Sequence, residues 1–165
     1  MSTSRTFFVL FIAALSLFAI PMRAQSQAAT QAAPVPAQLL NARKVFIADT
    51  VGWFDTDIWS GTQDRLYNET YAAIEGWGHL QVVGSPADAD VVLHPSISNP
   101  ACAGEVCGAY PMMRFELIDP KTGIVLWGRI SSIGLLSTKK TNDREFEAAI
   151  TALIGDLKQD MAPGK

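Results

Sequence analysis

The apolar positions of this chain change period along its length, and the changes mark out its elements. Between residues 64 and 77 the apolar side chains are Leu66, Tyr67, Tyr71, Ile74 and Trp77, spaced so that they share one stripe of a helix. Gly76 and Gly78 sit at its end, where glycine suits the left-handed residue that closes many helices. A longer stripe runs through Phe146, Ala149, Ile150, Leu153, Ile154, Leu157 and Met161. Asn142 is placed to cap this second helix, with Glu145 three residues later as in a capping box. Lys158 suits the C-terminal dipole, and Pro163 stops the helix.

Elsewhere the apolar residues come in short β-branched runs. Residues 45–48 (VFIA), 80–83 (LQVV) and 91–97 (VVLHPSI) predict three strands. Ser85 and Pro86 open a capped helical turn over 85–90 (SPADAD). Residues 113–118 and 124–133 read as a hairpin, joined by Asp119, Pro120, Lys121, Thr122 and Gly123, residues that favour turn dihedrals. Alternation puts Phe115 and Leu117 on one face, and sets Leu126, Gly128 and Ile130 opposite Trp127 and Arg129. Segments 49–62 and 99–111 are turn-rich and read as loops. This order predicts an α+β fold: a single mixed or mostly antiparallel sheet of four to five strands, with two helices packed on one face.

The N-terminal part follows a different logic. Arg5 precedes an apolar run over residues 7–20 (FFVLFIAALSLFAI), and Pro21 ends it before a region of small residues. That layout is a secretory signal peptide, residues 1–24, with cleavage after Ala24 or Ala28. The run is about 14 residues, against the roughly 20 that a membrane-spanning helix needs, and no cysteine is placed to accept a lipid. The expectation is a periplasmic or secreted protein without stable membrane insertion. Residues 25–43, rich in Ala, Gln and Pro, are expected to form a flexible spacer, because they carry too little apolar surface to offset chain entropy. Residues 44–162 remain as one α+β domain.

Charge narrows the partners. The formal net charge is −3. Removal of Arg5 and Arg23 with the signal leaves 11 basic against 16 acidic residues, about −5. Such a chain is a poor nucleic-acid binder, because that affinity rests on neutralising phosphates.

The strand VFIAD, the run ADADVVL after a turn, and RFELIDPKTGIVLWGRIS before a long terminal helix resemble small exported bacterial domains. In layout the chain is similar to the amino-terminal domain of TolB and to the curli secretion lipoprotein family, over roughly residues 44–161. The resemblance implies an envelope α+β fold used for protein contacts rather than catalysis, and it carries over no catalytic residue.

The chemistry-bearing residues are few. Cys102 and Cys107 are the only cysteines; an even count in an exported chain favours a disulfide, with a redox pair or a metal site as alternatives. His79 and His94 stand outside any ligand spacing. Asp49, Asp55, Asp57 and Asp64 gather around one loop, in a spacing that does not match an EF-hand. Trp53, Phe54 and Trp59 share that loop. Exposed, they form a sticky patch for a partner; folded back, they form a lid on the core. No nucleophile elbow and no phosphate loop is present. The expected function is therefore a non-enzymatic envelope protein that binds another, unknown, envelope protein, without cofactor or metal. The alternative is a small ligand-binding protein or hydrolase with a pocket at Trp53, Phe54, Asp55, Asp57 and Trp59.

Overall fold

The computed structural model describes residues 34–49, 52–98, 102–103, 106–107 and 110–162, all within one unit beginning at Pro34. The expected signal peptide and residues 25–33 of the expected spacer lie outside them. Seven strands and three helices follow in order: α1 (Ala37–Asn41), β1 (Lys44–Ile47), α2 (Arg65–Trp77), β2 (Gln81–Val82), β3 (Val91–Ser98), β4 (Cys102–Ala103), β5 (Val106–Cys107), β6 (Met112–Ile118), β7 (Val125–Ser132) and α3 (Lys139–Asp160). A 3-10 turn, Pro86–Asp88, precedes β3, with the Ser85 hydroxyl accepting from the Ala87 N–H at 3.2 Å.

Five strands form one mixed sheet in the order β2-β1-β3-β6-β7, and β4 and β5 form a separate two-stranded ladder. β1 runs parallel to both β2 and β3, while β6 is antiparallel to β3 and to β7. The register places Val45 beside Val91, Ile47 beside Leu93, Leu93 beside Leu117, and Leu117 beside Trp127. Alternate residues share a face, so these form one continuous apolar surface, and every one is buried. Leu66 and Ile74 of α2 and Phe146, Ile150, Leu153 and Leu157 of α3 belong to the same buried cluster. The opposite face carries Arg114, Glu116 and Ile130, half-buried or exposed.

Three expectations are corrected. The spacer does not extend to residue 43: Leu39 in α1 is fully buried and Ala42 nearly so, because the two apolar residues reach core positions that a free linker would leave in water. The second helix is capped by Thr138, whose hydroxyl accepts from the Thr141 N–H at 3.3 Å, and not by Asn142. Asn142 is buried, with its side chain accepting from Leu136 N–H and donating to the Ile58 carbonyl. In α2 the buried residues are Leu66, Thr70 and Ile74. Tyr67 and Tyr71 stack on each other at 6.3 Å, with Tyr71 exposed. Gly78 ends α2 at φ 68°, the left-handed close its sequence position predicts.

Candidate functional site

The aromatic loop sits at one end of the sheet and is tied to it from both sides. Beyond β1 the chain keeps to the edge of β3, with Ala48 N–H donating to the Leu93 carbonyl and Trp53 N–H to the Ile97 carbonyl. A Cβ on Gly52 would lie 2.9 Å from both N and O of Ile97, so only glycine lets the two backbones approach this closely. Asp55 then shapes a turn: its carboxylate accepts from Asp57 N–H at 2.8 Å, and its carbonyl from the N–H groups of Ile58 and Trp59.

That turn drives Trp59 inward. Trp59 is fully buried, 5.4 Å from Trp53, 5.6 Å from Phe54 and 5.6 Å from Phe146, measured between ring centroids. Trp53 and Phe54 are half-buried against it, and Asp57 is exposed. The loop is thus mainly a core lid. The Trp59 indole N–H has no hydrogen-bond partner among the described residues, a local cost set against the apolar area its ring buries.

The start of α3 clamps the same loop. Lys139 donates to the Thr56 carbonyl at 2.6 Å, and the Asp143 carboxylate accepts from Ser60 N–H at 2.8 Å and from Arg65 at 2.5 Å. Arg65 also pairs with Glu69 and lies over the Phe146 ring, 4.5 Å from its centroid. Burial alone pushes the Asp143 carboxyl up, but the hydrogen bonds from Ser60 and Arg65 outweigh it and hold the group below the usual carboxylate range. Burial likewise opposes the Arg65 charge, and its bonds to Glu69 and Asp143 reverse the effect and raise its pKa.

The cavity here is small. A hollow of about 40 Å³ is lined by Gly52, Trp53, Phe54, Gln63, Leu66 and Ile97. At about 10–15 Å³ of such volume for each water, it has room for a few waters and not for a metabolite. Neither Asp55 nor Asp57 lines it. Among the described residues no group of three or more His, Cys, Asp or Glu side chains is arranged to hold a metal ion.

The remaining chemistry-bearing residues are dispersed. His79 is half-buried, stacked 4.9 Å from Trp77, with Nε2 3.1 Å from Arg43. His94 lies opposite Glu116 in the sheet. Cys102 and Cys107 face each other in the β4–β5 register. Sequence reasoning did not single out β7 as a contact element. It is the last strand of the sheet, paired with β6 alone, and among the described residues no main-chain bond joins its outer edge to another segment. Val125 is 50% exposed and Ile130 49%. No local pattern marks this edge, because which strand ends a sheet is decided by tertiary pairing.

No protein-family model matches the chain, and no curated protein matches it in sequence. Solved structures do share its fold. A DUF4136 family protein from Bacteroides thetaiotaomicron is 12% identical, covering 78% of this chain and 94% of its own, with a TM-score of 0.52. The hypothetical protein CT253 from Chlamydia trachomatis is 9% identical, covering 74% of this chain and 99% of its own, with a TM-score of 0.50. Both cover nearly their whole length, so the likeness is to a whole domain. It is a likeness of fold. No helix among the described residues is long and apolar enough to cross a membrane.

Proposed function

We propose that this chain is an exported, non-enzymatic bacterial envelope domain that binds another envelope protein by adding a strand to β7. The observation that carries this reading is the outer edge of β7, eight residues long, with Val125 and Ile130 exposed and no main-chain partner among the described residues. A free edge of that length templates an incoming extended segment. Main-chain hydrogen bonds supply the affinity, and the alternate side chains supply selectivity. The aromatic loop serves this function indirectly: with Trp59 as its plug and α3 as its clamp, it closes the core that stiffens the sheet. Export rests on the N-terminal charged start, apolar run and small-residue region.

A photo-crosslinking side chain placed at Ile130 of the full chain, in living bacteria, tests the site. The expected result is a discrete crosslinked partner from Ile130 and none from Glu75, an exposed position on α2. Equal yields at both positions, or none at either, would overturn strand addition at β7.

A further inference from the structure

We infer that Cys102 and Cys107 are joined as a disulfide that staples the β4–β5 hairpin. The inference stands independently of strand addition at β7. The register pairs Cys102 with Cys107 and Ala103 with Val106, and the inner pair is separated by two residues in the sequence. In a two-residue hairpin the pair flanking the tip exchanges main-chain hydrogen bonds, so alternation makes the next pair the narrow kind, with Cα atoms about 4.5 Å apart. A disulfide takes Cα separations of about 4.4–6.8 Å. The register therefore matches the separation a disulfide takes.

The ladder also needs such a bond. It has two residues in each strand and, among the described residues, no third strand, and it sits within the long connection between β3 and β6. Two-stranded hairpins are marginal in water even when longer. A covalent link between the strands offsets that marginality. The four residues between the cysteines, in place of the two of the common redox motif, fit a permanent staple better than a shuttling dithiol.

The bond forms by exchange with a disulfide-bearing oxidant. One cysteine thiolate attacks the oxidant and displaces a thiol from it. The second thiolate attacks the resulting mixed disulfide and displaces the other. One Sγ–Sγ bond forms, the oxidant's disulfide is reduced to two thiols, and the two cysteine protons end on them.

Alkylation with mass spectrometry tests this. The purified protein is equilibrated in glutathione buffer with the reduced form in excess, then treated with iodoacetamide. The expected result is no labelled cysteine, a peptide closed between Cys102 and Cys107 within one chain, and two labelled cysteines after strong reduction. Labelling of either thiol before reduction, or a link between two chains, overturns the inference. Cys102→Ser separates bonding from simple burial: Cys107 is expected to label readily in this variant. Continued protection of Cys107 there would place the cause in burial and overturn the staple.

Discussion

Gly52 illustrates how a single position can be set by main-chain packing. Its missing side chain lets the loop lie against Ile97, and a Cβ there would meet backbone at 2.9 Å, which cannot swing aside as a flexible side chain could. Gly52→Ala is expected to destabilise the fold by about 1–3 kcal/mol in urea unfolding. Gly84→Ala is expected to change little, because a Cβ at Gly84 has nothing within 4 Å. Trp59 makes the matching point about burial. Trp59→Ala empties a fully buried site against Trp53, Phe54 and Phe146, and is expected to lose about 3–5 kcal/mol. Trp53→Ala, at a half-buried site, is expected to lose clearly less in the same measurement. The cluster of aromatics was legible in the sequence. Which of them turns inward was not, because that depends on Asp55 closing a turn and on a helix more than eighty residues further along.

The clamp between the loop and α3 belongs to the scale of elements, and it should be visible in acid. The Asp143 carboxyl is held below its ordinary value in the folded chain, so it binds protons less readily there than in the unfolded chain. Its contribution is therefore full above the unfolded value of about 3.9 and is lost as pH falls through the depressed folded value. Asp143→Asn is expected to lower stability by about 1–2 kcal/mol at neutral pH, since the charged bond with Arg65 goes while the Ser60 N–H keeps an acceptor. Between about pH 5 and 3 the variant should lose stability less steeply than the parent. Asp90 and Asp119 are also depressed, Asp90 mainly by the Arg43 and Lys44 N–H groups and Asp119 mainly by the Thr122 hydroxyl, so some acid dependence should remain. Equal slopes for parent and variant would show that the clamp does not depend on charge. The proposed hairpin staple would act on a smaller unit. A ring this short contributes roughly 2 kcal/mol by the chain-entropy estimate, enough to order a loop but not to hold the domain. At this scale the periodicity located α2, α3, β3 and the β6–β7 hairpin, because each has a long enough pattern. It misplaced the start of α3: Asn142 looks like a cap, and only the packed structure shows its amide spent on Leu136 and Ile58.

At the scale of the whole molecule, the mixed sheet follows from an order of elements that the sequence displays, while the strand order β2-β1-β3-β6-β7 does not, because parallel pairing of β1 with both β2 and β3 leaves no local mark. The same limit hid the open edge at β7, and it hid the role of α1. Residues 34–43 continue an Ala-, Gln- and Pro-rich stretch that reads as a linker, and nothing local shows which of their apolar residues reach the core. Leu39 is fully buried, Ala42 nearly so, and Val35 packs against the same core. The Asp90 carboxylate further accepts from the N–H groups of Arg43 and Lys44, fixing the chain as it enters β1. The folded unit thus needs its entry segment. A chain beginning at Pro34 is expected to unfold at the same urea concentration as one beginning at Gln25. A chain beginning at Lys44 loses the Leu39 side chain from the core and is expected to be about 2–5 kcal/mol less stable, the range for emptying a buried leucine site. Leu39→Ala in the chain beginning at Pro34 should reproduce most of that loss. If the chain beginning at Lys44 matched the longer ones, Leu39 would be a passenger on the surface of a core complete without it.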